Sequence, residues 1–268
     1  MKRTIVVTGS SRGIGLGMAQ AFARSGCQVV VNGRSTRAVE AAIQTLPEAL
    51  RGDALGIAAD IGSLEQAQHL WDTAVARFGR VDVWINNAGL IAPRAMFQDV
   101  PFDTVRSVIE VNVVGTLACC HVALRGMRAQ GGGAIYNFEG FGSNDMMRPG
   151  LTTYGTTKRA LRYFTRSLER ECQGGPVRIG TISPGIVATD MIETELGELT
   201  GDARVRARRL YNILGDRVET VAPWLAAQVL ADTRHASRIA WLTPGKAFTR
   251  FLTARIKPRD VFSAQPQS

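Results

Sequence analysis

The chain has 268 residues, 45% of them hydrophobic, and a formal net charge of +9 at pH 7. That is enough apolar material for one large core, so a single domain over residues 1–268 is expected. Cys27, Cys119, Cys120 and Cys172 have neither CxxC nor zinc spacing, which argues against a disulfide framework and for reduced thiols in a cytoplasmic protein.

Met1-Lys2-Arg3 leads at once into a strand-like run at residues 4–8, so no signal peptide is expected. Residues 13–25 carry Ile14, Met18, Ala21 and Phe22 at helical spacing. Between them lies Thr8-Gly9-Ser10-Ser11-Arg12-Gly13-Ile14-Gly15. Its glycines let the backbone approach a pyrophosphate, and the helix N-terminus offers free N–H groups and a partial positive charge. A Gly-rich turn between strand and helix points to a dinucleotide. A second strand, residues 28–31, runs into Asn32-Gly33-Arg34-Ser35, with no acidic residue for a ribose 2′-hydroxyl. Arg34 and Arg12 instead suit a 2′-phosphate, which predicts NADPH rather than NADH.

A helix at 36–46, a strand at 54–58, a helix at 64–78 and a strand at 81–85 follow. Asp60, after the third strand, is a candidate acceptor for the adenine amine, with an exposed loop Asp as the alternative. A long helix is predicted over 102–128, a strand over 134–137, a helix over 152–172 and a strand over 177–182. The apolar stretch 111–124 contains Asn112 and His121 and is too short to span a membrane. Strands that read as continuous apolar runs, alternating with helices, predict an α/β fold of Rossmann type: a doubly wound parallel sheet with helices on both faces. Its strand C-termini then line a single ligand-binding edge.

Tyr154 and Lys158 share a helix face at i, i+4, so the ammonium can sit beside the phenol. A neighbouring cation favours phenolate and lowers the tyrosine pKa, giving a tunable general acid/base.

Together, the Gly-rich turn, Asn86-Asn87-Ala88-Gly89, Asn112, Tyr154/Lys158 and Pro184-Gly185-Ile186-Val187-Ala188-Thr189 resemble the short-chain dehydrogenase/reductase family, in family order and over nearly the whole chain. The resemblance implies that Tyr154 donates a proton to a carbonyl oxygen. Lys158 would hold the nicotinamide ribose and lower the Tyr154 pKa, and Asn112 would hold a water that relays protons to Lys158. NADPH would contact Gly9, Ser11, Arg12, Gly13, Ile14 and Gly15, then Arg34, Ser35, Asp60 and Ile61. Asn86, Ala88 and Gly89 would shape the floor under it, and Tyr154, Lys158, Pro184, Gly185, Val187 and Thr189 would complete the site.

One position departs from the family pattern. Where the family carries a serine pair after the fifth strand, this chain has Glu139 and Gly140, and the nearest hydroxyl is Ser143. Three replacements are open: Ser143, Glu139 or a backbone N–H. The segment Asn137 to Ser143 and the stretch from Tyr154 to Arg162 resemble plant chlorophyll(ide) b reductases, as do Tyr211-Asn212-Ile213-Leu214, Glu219-Thr220-Val221-Ala222 and Trp241-Leu242-Thr243-Pro244. That resemblance implies NADPH-dependent reduction of a formyl group on a large, apolar tetrapyrrole. With no transit peptide or membrane helix visible, it is that of a bacterial relative. Glu139, Phe141, Ser143, Met147 and Ile186 are the candidate substrate contacts. A generic ketone or 3-oxoacyl reductase is the alternative enzyme, and an NADPH-binding sensor or scaffold the alternative from another class.

Residues 190–215 are polar and weakly patterned, either a lid over the site or a surface excursion. In the C-terminal extension, residues 243–268, the segment 246–257 reads as a basic amphipathic helix. Its apolar stripe would pack on its own domain or a neighbouring subunit, or touch a membrane. The end, 265–268, reads as frayed. Trp71, Trp84, Trp224 and Trp241 read as core. His69, His121 and His235 have no metal spacing, so no metal is expected. The basic excess is dispersed and lacks interleaved aromatics, which predicts a solvated face and no nucleic-acid partner. By analogy with the family, a homodimer or homotetramer is expected.

Overall fold

A computed structural model describes residues 2–254 and 256–262; Arg255 and the end expected to fray, 265–268, lie outside the described residues. The first half alternates strand and helix: β1 (Thr4–Val7), α1 (Gly13–Arg24), β2 (Gln28–Gly33), α2 (Thr36–Gln44), the single turn α3 (Glu48–Arg51), β3 (Ala54–Ala58), α4 (Leu64–Phe78) and β4 (Val83–Asn86). The second half runs α5 (Phe102–Ile109), α6 (Gly115–Ala129), β5 (Gly133–Phe138), α7 (Thr152–Glu171), β6 (Val177–Ser183), β7 (Val187–Ala188), α8 (Asp190–Glu198), α9 (Gly201–Leu214), β8 (Asp216–Arg217), α10 (Val218–Ala231), β9 (Ser237–Ala240) and α11 (Pro244–Thr253).

Seven strands form one parallel sheet in the order β3-β2-β1-β4-β5-β6-β9. Chain direction across the sheet reverses between β1 and β4, and the crevice opens beyond the strand C-termini there. Alternation along each strand feeds two cores. Ile5, Val7 and Ile85 meet Met18 and Phe22 of α1 and Leu225 of α10 on one face. Val6, Val30 and Trp84 meet Leu70 and Trp71 of α4 and Cys119 and Met127 of α6 on the other.

Three features differ from the sequence expectation. The predicted helix 102–128 is broken by a π-helical segment, Glu110–Val114, between α5 and α6. The 102–129 span is long and apolar enough to cross a membrane, yet Cys119, Cys120, Ala123 and Met127 are buried against the sheet. The seventh strand and α10 were not predicted, because Ser237-Arg238-Ile239-Ala240 shows no continuous apolar run and α10 contains Pro223.

The tail helix α11 does not pack its apolar stripe on its own domain, the first of the expected alternatives. Its basic side chains face inward: Arg250 donates to Asp216 Oδ2 (2.7 Å), and Lys246 Nζ lies 3.0 Å from the Trp241 ring centroid. Phe248, Phe251 and Leu252 are left exposed. The buried Asp216 carboxylate draws Arg250, Arg259 and the Trp241 Nε1 donor, so charge pairing rather than the apolar stripe fixes the helix.

Candidate active site

At the C-terminal end of β1 the chain enters the Gly-rich turn. Gly9 has φ +60°, and a Cβ there would lie 2.7 Å from Ala88 Cα; Gly13 has φ +58°. Both positions require the freedom of glycine. Arg12 provides no side-chain cap to α1, and the first intrahelical amide bond is Leu16 N to Arg12 O (3.2 Å). The amides of residues 13–15 therefore face the crevice open, which fits a pyrophosphate. Polar side chains brace the turn. Asn32 Oδ1 accepts from Gly9 N (3.2 Å) while its amide donates to Ile57 O and Ala59 O. Asn87 Nδ2 donates to Thr8 O (2.9 Å) and Gly9 O (3.0 Å), and Thr8 Oγ1 accepts from Asn87 N and Ala88 N. Thr8, Asn32 and Asn87 were not singled out from sequence; polar residues at the ends of apolar strands were the available signal.

Around this turn the structure brings together Arg12, Arg34 and Thr189. Arg12 and Arg34 are solvent-facing, and Arg12 Nη1 lies 4.0 Å from Asp190 Oδ2. Thr189 Cγ2 would lie 3.6 Å from a Cβ on Gly13, so the start of α8 overhangs the turn. Ser35 N-caps α2 through Ala38 N (3.4 Å), and Asp60 Oδ1 accepts from Gly62 N (2.9 Å). Gly185 (φ +72°) packs under Leu242.

Two residues expected to contact the cofactor, Asn86 and Ile61, turn their side chains away from the crevice. The Asn86 side chain turns into the core, accepting from Trp84 Nε1 (2.8 Å) and donating to Asn137 Oδ1 (2.8 Å). Its contribution to the crevice is confined to the backbone. Ile61 is buried against Gly115 of α6, where a Cβ would meet its Cδ1 at 2.9 Å.

Tyr154 and Lys158 lie on the first turns of α7, with Lys158 Nζ 5.7 Å from the Tyr154 ring centroid. Lys158 is buried and donates to Phe138 O (3.3 Å). Burial lowers its pKa from the usual 10.5 to about 8. The expected lowering of the Tyr154 pKa does not prevail: burial first, and the Glu195 charge second, push the phenol up to about 12. Asn112 is fully buried in the π-helical segment. Its Oδ1 accepts from Leu90 N (2.7 Å), and both amide hydrogens are engaged, by Leu90 O (2.8 Å) and Thr157 Oγ1 (3.1 Å). The side chain clamps the 88–90 segment to α7, so holding a relay water does not fall to its amide hydrogens.

Of the replacements for the missing serine, Glu139, Ser143 and the N–H of Gly140 are engaged. Glu139 is locked by Arg162 Nη1 (3.0 Å) and by Arg238 Nε and Nη2 (2.9 and 2.7 Å). It is a link between α7 and β9 rather than a substrate contact. Ser143 is buried; its Oγ accepts from Gly140 N (3.1 Å) and donates to Lys158 O (3.4 Å), which also occupies the Gly140 N–H. A Cβ at Gly140 would stand 2.6 Å from the Tyr154 hydroxyl. Glu139→Gln is expected to destabilise the fold by about 2 kcal/mol by uncoupling both arginines, less than a fully buried pair because Arg238 is half exposed. Chemical denaturation measures this.

Ala92, Pro93, Ala95, Phe97, Gly150 and Leu151 gather with Tyr154 around a narrow depression, the candidate substrate side. The part played by residues 92–97 was not anticipated from sequence. Met147 is 92% exposed and does not line the depression, since its loop carries it outward. Phe141 is half-buried, and Ile186 packs on the Leu196–Ala207–Tyr211 cluster. That cluster binds α8 to α9, and β7 pairs with β8 beneath them, so residues 190–215 form a helical cap.

A sequence profile described as short chain dehydrogenase matches residues 3–198. The probable chlorophyll(ide) b reductase NYC1 of Arabidopsis thaliana is 29% identical over 98% of the chain, which spans only 55% of that relative's length. Chlorophyll(ide) b reductase NOL of Arabidopsis thaliana is 32% identical over 93% of the chain and 72% of its own length. The structure of ElxO with NADP bound superposes with a TM-score of 0.77 at 25% identity, covering 90% of this chain and 97% of that one. The crevice, the turn and the profile match agree that this chain belongs to the short-chain dehydrogenase family of oxidoreductases.

Proposed function

We propose that the chain is an NADPH-dependent reductase of aldehydes and ketones, acting on the formyl group of a chlorophyll(ide) b-like tetrapyrrole. The observation that carries this reading is the Tyr154–Lys158 pair on one face of α7, with Gly140 presenting no side chain to the phenol hydroxyl. Similarity to NYC1 and NOL supports the substrate class.

When bound, the nicotinamide supplies the hydride. The open amides at 13–15 hold the pyrophosphate, and Arg12 and Arg34 hold the 2′-phosphate. Tyr154, kept protonated at neutral pH by its raised pKa, retains the proton that it delivers to the substrate oxygen. Lys158 stays mostly cationic at pH 7 and fixes the ribose beside the phenol. With Glu139, Ser143 and the Gly140 N–H all engaged, Tyr154 is the donor to the substrate oxygen. The protein assembles as a homodimer or homotetramer through the exposed Phe102, Ile109 and Leu117 of the α5–α6 span and Tyr163 of α7.

The test is a screen of formyl-chlorins and simple carbonyl compounds for stimulated NADPH oxidation; a flat response to every compound would refute the reading. For the cofactor, Arg34→Ala is expected to weaken NADPH binding about tenfold and NADH binding about twofold at most, since only NADPH presents a 2′-phosphate to the guanidinium. Fluorescence titration with both nucleotides measures the ratio, and equal losses remove Arg34 from phosphate recognition.

A further inference from the structure

Two guanidinium groups converge on one carboxylate beside the candidate substrate depression. Arg94 stands between Pro93 and Ala95, which line the depression, and its stem passes Gly150, where a Cβ would lie 2.8 Å from Arg94 Cγ. Arg148 comes from the loop that leads into Gly150 and Leu151. Both face Glu195 of α8, which is 5% exposed: Arg94 Nη1 is 3.6 Å and Arg148 Nη1 4.0 Å from Glu195 Oε1. Neither distance is a hydrogen bond. Glu195 Oε1 instead accepts from the Tyr211 hydroxyl (2.8 Å), to which Arg148 Nη1 donates weakly (3.4 Å). Arg94 Nη1 is buried with no hydrogen-bond partner among the described residues. Glu198 takes only the Arg94 backbone N–H (2.9 Å).

The pair is therefore faced by one carboxylate, half its charge, which makes a hydrogen bond to neither arginine. A buried guanidinium N–H without an acceptor is costly, and a planar carboxylate that bonds it directly is favoured over one held at ion-pair distance. The Glu195 charge is also felt at Tyr154, which places the cluster near the phenol. The cap helix α8 carries Glu195 while the two arginines belong to the segments around the depression, so exchange of Glu195 for another carboxylate needs only movement of the cap.

We propose that Arg94 and Arg148 form a carboxylate-recognition site for a carbonyl substrate that bears an acidic side chain, with Glu195 occupying the site until substrate enters. This specificity rests on the carbonyl-reductase reading above.

Two probe pairs test it. The first is 4-carboxybenzaldehyde against methyl 4-formylbenzoate as substrates. The second is pyrene-1-carboxylate against its methyl ester, read by fluorescence on NADP-loaded protein, which needs no turnover. The acid is expected to be favoured about tenfold in kcat/KM and in binding, and Arg94→Met or Arg148→Met to collapse the ratio to about one. Glu195→Gln is expected to tighten acid binding by removing the internal rival, a change that a purely structural Glu195 would not produce. Equal binding of acid and ester by the wild type, or weaker acid binding in Glu195→Gln, overturns the proposal. If neither aldehyde is reduced while the acid still binds preferentially, the arginine site stands and the reductase reading falls.

Discussion

Tyr154→Phe is expected to lower carbonyl-dependent NADPH oxidation on the order of 10³-fold while leaving NADPH affinity within about twofold. The expectation follows from what surrounds the phenol. Ser143 Oγ is engaged by Gly140 N and Lys158 O and Glu139 by two arginines, which leaves Tyr154 as the proposed donor to the substrate oxygen. The Tyr154 hydroxyl itself makes no hydrogen bond among the described residues, so its removal strands no partner, and the fold should change by no more than about 0.5 kcal/mol. Steady-state kinetics and nucleotide titration on the same preparation separate the two effects. Residual activity above about a tenth would place the proton donor elsewhere. A protein that binds NADPH and turns over no carbonyl compound, with or without Tyr154, would favour the sensor reading.

Lys158→Met is expected to abolish turnover to a similar degree and to stabilise the fold. Burial lowers the Lys158 pKa from 10.5 to about 8, so the folded state holds this cation at a cost. At pH 7 both folded and unfolded chains carry the proton, and the full cost is present. Between about 8 and 10.5 the unfolded chain binds more protons than the folded one, so wild-type stability rises with pH and the cost disappears above that window. The shift corresponds to about 3 kcal/mol. Losing the Phe138 carbonyl as partner takes back about 1 kcal/mol, leaving a net gain of about 2 kcal/mol at pH 7. Urea unfolding of both proteins from pH 7 to 10.5 checks the gain and its decline with pH. Destabilisation of Lys158→Met at pH 7 would make the lysine a structural residue. A catalytic cation kept in a dry site against the stability of the fold is a common form of the stability–activity trade-off.

Much of the fold was legible because its determinants are local. Strands β1, β2, β4, β5 and β6 are mostly buried on both faces and read as short apolar runs, and α4 and the partly exposed β3 have the predicted bounds. Strand β9 was not legible: it lies at the sheet edge, with a single large aliphatic, Ile239, and its pairing with β6 joins residues more than fifty positions apart. The π-helical break is of the same kind. Asn112 fixes it by bonding Leu90 and Thr157, and neither partner is near it in sequence.

By itself, the sequence determined the parallel sheet, the glycine turn at the cofactor crevice and the placing of Tyr154 and Lys158 on one face of α7. Each of these depends on residue spacing within a single element. The loss of the serine pair was also visible in the sequence, but its meaning was not. Only the tertiary structure decided that Glu139 ties α7 to β9, that Ser143 braces the backbone at Gly140 and Lys158, and that burial and the Glu195 charge raise the Tyr154 pKa. The reason is physical: a carboxylate, a hydroxyl or a phenol acquires its role from the partners and the dielectric that surround it. Those come from strands and helices distant in the chain.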